Sequence, residues 1–318
     1  MPRTSGQLTS RTGIDVANVH VDALMKNLSV AYMPQGLIAE EVAVVIPVTF
    51  ENDIYTIWDA DDVGRTTGTN DLVGPVVADG AEPSEVGLAR TEGRYACDKY
   101  AYSIQITDRQ RANSDAPLQL ELVKTNFVQK LLLLEQERRV AALFASATEV
   151  AAAAAWDAGE GGDPEGDLDG LKNTIRLATN GDVPTDVIIP YQVALKLKKH
   201  AQLRDLLRWT HSDLLVNGDL PPTIFNLKVH IPASNYTSTR EGQATQTHTN
   251  VWGDSVQVFI KGPVSLQTRT AVAIPRVSYQ VKRWRWEHRS TSLLSPQYIQ
   301  DEIIISSPSI RELTGVLA

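Results

Sequence analysis

The sequence lacks several features on which secreted, membrane and zinc proteins depend. It contains one cysteine, Cys97, so no intrachain disulfide is possible and a disulfide-stapled secreted domain is excluded. Its six histidines are scattered and give no zinc-ligand spacing. No stretch approaches about 18 apolar residues, and residues 1–15 contain no apolar signal core. We therefore expect neither a membrane-spanning helix nor Sec-type export.

Sequence motifs of catalysis are also missing. There is no GxxxxGK[ST] loop, no GxGxxG after a strand, no HExxH, no GxSxG and no kinase set. His200 and His211 flank a predicted helix without a partner motif, and Cys97 lies beside Asp98, which would not activate a thiolate. The carboxylates of residues 157–170 match no calcium-loop spacing, which indicates a solvated linker. The sequence predicts no catalytic residue, no cofactor and no metal.

Basic residues are outnumbered by acidic ones. There are 30 lysines and arginines against 38 aspartates and glutamates, a net charge of −8. A general phosphate-binding surface needs the opposite balance. One local exception, residues 282–289, alternates basic residues with tryptophans on a predicted strand. It fits either base stacking on single-stranded nucleic acid or a salt-bridged face between subunits, and the sequence leaves both open.

One long helix dominates the predicted organisation. Residues 114–156 contain a cap at Ser114 or Asp115, proline in the first turn and otherwise strong helix formers, with no further proline or glycine. Leu120, Val123 and Phe127 begin an apolar stripe at three-and-four spacing. At about 1.5 Å per residue, roughly forty residues form a rod of about 60 Å, which a compact domain cannot bury.

The segments on both sides of this helix in the sequence are rich in predicted strands. Two β-type runs near residues 42–58 and 95–106 enclose some thirty irregular residues and predict a long hairpin without a core of its own. An α/β lobe follows, with short strands predicted at residues 186–189, 227–231 and 256–260. The last segment is rich in strands, which we expect to pair with residues 95–106. The predicted α+β organisation has five parts: an arm (1–41), the extended hairpin and a first strand (42–110), the spine helix (111–158), an α/β domain (159–263) and returning strands with a C-terminal tail (264–318).

This order of parts resembles the major capsid proteins of tailed bacteriophages, which have the Hong Kong 97-type fold. Short stretches in the same order resemble one capsid subgroup and lie at residues 31–34, 38–42, 46–48, 95–100, 106–109, 113–118 and 134–141. In that family's terms the parts are the N-terminal arm, the E-loop, the spine helix with the peripheral β-sheet domain, and the axial α/β domain. The resemblance covers nearly the whole chain.

The resemblance implies a structural protein and not an enzyme. Its partners would be other copies of itself, in hexamers and pentamers that close into an icosahedral shell around packaged double-stranded DNA. It also implies a portal, room for a decoration protein, assembly in the host cytoplasm and a final place in the virion capsid. Only about forty residues precede the hairpin, so we expect a separate scaffolding protein. No lysine lies between Lys26 and Lys99, so we expect no lysine cross-link from the hairpin.

Charged residues on the hairpin, the spine and the C-terminal strand are the predicted contacts between subunits. They are Arg65, Arg90, Arg94, Glu135, Glu137, Arg138, Arg139, Arg283 and Arg285. The alternatives are an encapsulin-like bacterial compartment of the same fold, a soluble enzyme with its site in residues 171–262, and a nucleic-acid binder that uses residues 282–289.

Overall fold

The computed structural model describes most of the 318-residue chain. The described residues are 36–58, 75–87, 90–113, 120–157, 161–210, 220–263 and 270–317. Most of the predicted arm and the residues that would begin the spine helix, 114–119, lie outside these ranges. None of the helices within the ranges is both long and apolar enough to cross a membrane.

Six α-helices and sixteen strands lie within the described residues. The helices are α1 (Ala39–Val42), α2 (Asp108–Ala112), α3 (Leu120–Phe144), α4 (Pro164–Ala178), α5 (Tyr191–Leu197) and α6 (Ala201–Thr210). The first strands are β1 (Val44–Pro47), β2 (Asn52–Trp58), β3 (Arg90–Ala96), β4 (Asp98–Ala101), β5 (Ile104–Thr107) and β6 (Glu149–Ala151). Then follow β7 (Asp186–Ile188), β8 (Thr223–Ile224), β9 (Leu227–His230), β10 (Asn235–Thr237), β11 (His248–Asn250) and β12 (Val256–Phe259). The last are β13 (Val272–Trp286), β14 (Thr291–Gln300), β15 (Ile303–Ile304) and β16 (Ile310–Thr314).

The chain divides into two compact units. The described residues within Ala101–Leu132 and Gln280–Gln297 form the smaller unit, and those within Pro34–Tyr100, Leu133–Tyr279 and Tyr298–Ala318 form the larger one. This division differs from the five predicted parts, because α3, β13 and β14 each contribute residues to both units.

A six-stranded sheet forms the α/β lobe of the larger unit. Its strand order is β6-β16-β12-β7-β9-β8, and α4 packs against it. The predicted strands near residues 186–189, 227–231 and 256–260 are confirmed as β7, β9 and β12. Every residue of β12 and β7 is buried, as expected for central strands with covered faces.

Strand β16 belongs to this lobe, and not to the returning strands with which residues 264–318 were grouped. It pairs antiparallel with β12, so that Ile310 lies opposite Phe259 and Leu313 opposite Val256. Leu313 and Val316 are fully buried in the core of the lobe. Because a short apolar strand carries no mark of the sheet it joins, the sequence could not place it.

The spine helix is shorter than predicted. Helix α3 ends at Phe144, and Glu149–Ala151 forms an edge strand parallel to β16. The alanine-rich residues 151–155 are therefore not helical, despite their propensity. The chain leaves the helix because this path buries Trp156, which donates its indole N–H to Asp167 at 2.9 Å. A buried tryptophan removes more apolar surface from water than any other side chain, and here it overrides local preference.

The acidic residues 157–170 are only partly a linker. Asp163 caps α4 by accepting the amide of Gly166 at 3.1 Å, and Pro164 occupies the first turn. Asp167 holds Trp156 from the first turn of the same helix. These two carboxylates are structural, and no group of metal-ligating side chains occurs among the described residues.

A second core of the larger unit surrounds the end of α3. Phe144 packs edge-on against Phe259, with 5.0 Å between ring centroids, and lies 5.6 Å from Trp252. Strand β1 pairs in parallel with β13, from Val44 opposite Ala273 to Pro47 opposite Arg276. These contacts bring residues from both halves of the chain to one end of the spine helix.

In the smaller unit, β5 pairs antiparallel with β14. Thr107 lies opposite Thr291, and Ile104 lies opposite Leu294. For β5, the predicted pairing of residues 95–106 with the C-terminal strands is confirmed. Thr107 then begins α2 with a capping box, because its hydroxyl accepts the amide of Gln110 and the Gln110 side chain accepts the amide of Thr107.

Candidate assembly site

Strands β2 and β3 form the extended hairpin, and β3 begins at Arg90, before the predicted run at residues 95–106. They pair antiparallel over seven positions, from Asn52 opposite Ala96 to Trp58 opposite Arg90. Within the described part of the chain, no third strand joins this pair. A two-stranded hairpin is only marginally stable alone in water. The hairpin therefore needs contacts with another surface to be stable.

Apolar side chains of the hairpin region are open to solvent. Ile54 of β2 is 50% exposed, and Val76 and Val86, which lie between the strands in sequence, are 93% and 66% exposed. Single exposed apolar side chains are ordinary, but several in one chain segment without a core indicate a surface that is covered in an assembly.

One face of the hairpin is shaped by a close contact between Tyr55 and Gly93. These residues lie directly opposite each other, and a Cβ on Gly93 would come within 2.3 Å of the Tyr55 ring. The ring thus lies over the bare glycine backbone. A lone glycine in a strand commonly marks such an approach, and this was the signal in the sequence that could have singled out Gly93.

Charged groups hold the root of the hairpin, which is the region where β3 ends at Ala96 and β4 follows. Asp301 accepts the amide of Ala96 at 2.9 Å. Arg139 of α3 forms two hydrogen bonds to Glu302, at 2.9 and 2.8 Å, and its guanidinium lies 3.7 Å from the ring centroid of Tyr100. Burial is the largest single influence and lowers the pKa of Arg139, but the hydrogen bonds and the charge of Glu302 together outweigh it, so that the pKa is raised. This cluster attaches the spine helix to the strands that follow the hairpin.

Some predicted intersubunit contacts lie on the surface and others do not. Arg65 lies outside the described residues. Arg90 and Arg94 are exposed on β3, and Glu135 and Arg138 form an open i,i+3 ion pair at 3.4 Å. Arg138 also covers the Tyr236 ring at 4.5 Å. These four residues remain predicted contacts.

For Glu137 the prediction of a surface contact is wrong. Its side chain is completely buried within the larger unit. It accepts hydrogen bonds from the amides of Ile38 and Ala39 and from the Trp252 indole. Glu137 lies two positions from Glu135, and the two side chains point to different faces of α3. Their burial therefore differs because of what packs on each face, and not because of residue type.

The remaining three arginines are engaged within the chain. Arg139 is bound to Glu302, as described. Arg283 bonds to Glu121 at 3.1 Å, and Arg285 bonds to both oxygens of Asp108 at 3.1 and 2.7 Å. The hydrogen bonds from Arg285 lower the pKa of Asp108 below its usual value. Both Arg283 and Arg285 are thus paired with carboxylates, which weakens the hypothesis that residues 282–289 bind nucleic acid.

Cys97 is buried and unreactive by environment. Its thiol donates to the carbonyl of Pro275 at 3.6 Å. Burial raises the pKa of Cys97 to about 11, and Asp301 adds to the effect. The thiol is therefore not activated, as expected from its neighbour Asp98.

Several residues of the site could not be predicted from the sequence. Asp301 and Glu302 fall within residues predicted as returning strands, and nothing in the sequence marks them or Tyr100 as partners. Only the approach of α3 turns them into a cluster.

The fold is shared with known structures at low sequence identity. No family model matches the sequence, and no curated protein matches it. A phage-related protein from Bordetella bronchiseptica RB50 superposes with a TM-score of 0.63 at 13% identity, over 93% of this chain and 97% of the other. The capsid of cyanophage P-SCSP1u gives 0.61 at 14% identity, over 96% of both chains. The mature capsid of bacteriophage PhiM1 gives 0.59 at 7% identity, over 90% and 88%.

The chain has the fold of phage capsid proteins. This confirms the predicted α+β fold of the Hong Kong 97 type, because the similarity extends over nine tenths or more of this chain. In this fold β2 and β3 form the E-loop and α3 is the spine helix.

Proposed function

We propose that the chain is a major capsid protein of a tailed bacteriophage. It assembles as hexamers and pentamers into an icosahedral shell that encloses double-stranded DNA. The observation that carries the proposal is a capsid fold that spans the chain and includes an extended hairpin without a core of its own. A subunit of this kind gains part of its stability only when neighbours cover the hairpin.

The charge of the chain supports the same proposal. A net charge of −8 leaves little general affinity for DNA, which suits a container into which DNA is driven. Arg283 and Arg285 are neutralised by Glu121 and Asp108. The role is structural and not enzymatic. A scaffolding protein, a portal and a decoration protein belong to the proposed assembly, which takes place in the host cytoplasm and ends in the virion.

The first test is negative-stain electron microscopy of the purified protein, expressed with and without its neighbouring genes. We expect closed shells of uniform diameter or rings of five and six. Compact monomers or dimers under every condition would overturn the proposal. The contents then separate the phage shell from an encapsulin-like compartment, since the former holds DNA and the latter a cargo enzyme.

A matched pair of variants tests the role of the E-loop. Ile54→Glu places a charge on the exposed hairpin, whereas Leu177→Glu places one on α4, where Leu177 is 62% exposed. We expect the first variant to remain an unassembled, folded subunit and the second to form shells. Equal assembly of both would remove the hairpin from the proposed interface.

A further inference from the structure

Glu137 collects four hydrogen-bond donors inside the larger unit. Its carboxylate accepts the amide of Ala39 at 2.7 Å and the amide of Ile38 at 3.0 Å. The indole N–H of Trp252 lies at 2.6 Å and the hydroxyl of Ser234 at 3.5 Å. No part of Glu137 is exposed to solvent.

Two of these donors belong to the segment that precedes β1. Residues 36–43, here called the entry segment, contain α1 and lie about a hundred positions before Glu137 in sequence. The first amides of a helix have no partner within it, and Ile38, at the cap position, has no side-chain acceptor. Glu137 supplies the acceptor from another helix.

The other polar contacts of the entry segment involve side chains that are more exposed than Glu137. Arg276 bonds to Glu40, and Lys261 donates to the carbonyl of Glu41. At its beginning, Gly36 has a φ of +71° and lies so close to Ala233 that a Cβ would come within 2.8 Å. The segment is thus fixed at Gly36 by shape and at Ile38 and Ala39 by a buried charge.

A buried carboxylate is a costly way to gain stability alone. Desolvation penalises the ion, and apolar side chains of similar volume commonly serve as well or better. Its particular effect is selective, because only one placement of the two amides satisfies it. An apolar residue at position 137 would allow any placement of the segment in which Ile38 and Val42 are buried.

We propose that Glu137 is a positioning residue that holds the entry segment, and with it the start of β1, in a single place on α3. This rests on the proposed function, because a uniform shell requires subunits that share one conformation at this end of the spine helix. Glu137 acts on assembly through the entry segment and touches no neighbouring subunit itself.

The test compares Glu137→Gln with Glu135→Gln. Both variants remove one negative charge from α3 at nearly the same place, but only the first faces the Ile38 and Ala39 amides. Hydrogen–deuterium exchange of unassembled subunits is read by mass spectrometry on the peptide that contains residues 36–43. We expect about tenfold faster exchange there in Glu137→Gln, equivalent to the loss of one charge-assisted hydrogen bond, and no change in Glu135→Gln. Exchange in the peptides of β7, β9 and β12 stays unchanged.

Assembly supplies the second readout. We expect Glu137→Gln to give open sheets or shells of mixed diameter, and Glu135→Gln to give shells like those of the wild type. Uniform shells from Glu137→Gln, or wild-type exchange in the entry segment, overturns the inference. Failure of the wild type to form any shell overturns the proposed function instead, while the exchange result still decides whether Glu137 holds the segment.

A third variant covers the case in which Glu137→Gln does not fold. Glu137→Asp keeps the charge but is one methylene shorter, so it cannot reach all four donors. We expect a folded subunit with faster exchange in the entry segment alone. If both variants unfold as a whole, Glu137 is a general folding residue and the positioning role is wrong.

Discussion

Arg139 and Glu302 form the tightest ion pair of the hairpin root, with two parallel hydrogen bonds at 2.9 and 2.8 Å. The Glu302 side chain is only 5% exposed, while that of Arg139 is 28% exposed and lies on Tyr100. The pair therefore combines fork geometry with ring stacking, and a lysine can reproduce neither.

Replacement of Arg139 by lysine is expected to destabilise the subunit. The change leaves the Glu302 carboxylate without its bidentate partner, and hydrogen bonds to charged groups contribute roughly 1.5–3 kcal/mol. Arg138→Lys is the control, since Arg138 belongs to an exposed pair with Glu135, and such pairs contribute at most about 1 kcal/mol. Urea unfolding of unassembled subunits measures both free energies. Equal losses in the two variants would show that the bidentate geometry has no special value.

Substitution of Gly93 by alanine should displace the Tyr55 ring without unfolding the subunit. A Cβ at this position meets the far end of the Tyr55 side chain, which can rotate away. We expect an unchanged thermal midpoint and at least a severalfold lower yield of shells, because the ring then alters the face of the hairpin. Gly87→Ala is the control, because nothing lies within 4 Å of a Cβ there. Normal shell yield from Gly93→Ala would exclude this face from the contact.

Cys97 should resist alkylation in the folded protein. With a pKa of about 11, the thiol is about two orders of magnitude less ionised at pH 8 than an ordinary cysteine. Burial adds a steric barrier. Iodoacetamide labelling followed by mass spectrometry is expected to be negligible in the native subunit and complete in urea. Rapid labelling of native protein would contradict the buried environment.

Stability near Glu137 should depend on pH in a defined direction. Burial raises the pKa of Glu137 above 4.5, and the hydrogen bonds from Ile38, Trp252, Ala39 and Ser234 offset this only in part. The folded state then holds the proton more tightly than the unfolded state. The corresponding stability is fully present below pH 4.5 and is lost as the pH rises through the folded pKa.

The comparison with Glu137→Gln isolates this contribution, because glutamine does not titrate. We expect the difference in unfolding free energy, wild type minus variant, to fall as the pH rises from 4.5 through the raised pKa. Glu135→Gln serves as the control for surface charge. A difference that grows with pH over this range would mean that the folded site favours the ionised form.

Several elements of the molecule follow from local sequence. The β-type run at residues 42–58 becomes β1 and β2, and the run at residues 95–106 becomes the end of β3 with β4 and β5. Strand β3 itself begins at Arg90, within residues predicted to be irregular. Strands β7, β9 and β12 were predicted from short apolar runs bounded by turn residues. The unreactive setting of Cys97 was also evident, since Asp98 is its neighbour in the chain.

Tertiary structure alone decided the rest. The helix ends at Phe144, although the alanines beyond it favour helix, because Trp156 and β6 gain burial in the α/β lobe. Strand β16 lies beside β12 because its apolar side chains complete that core. Glu135 and Glu137 look alike in the sequence, but one is paired at the surface and the other is enclosed by Ile38, Ala39, Ser234 and Trp252. Composition and periodicity determine which segments bury a face, whereas the partner of each face depends on residues distant in sequence, such as Trp252 for Glu137.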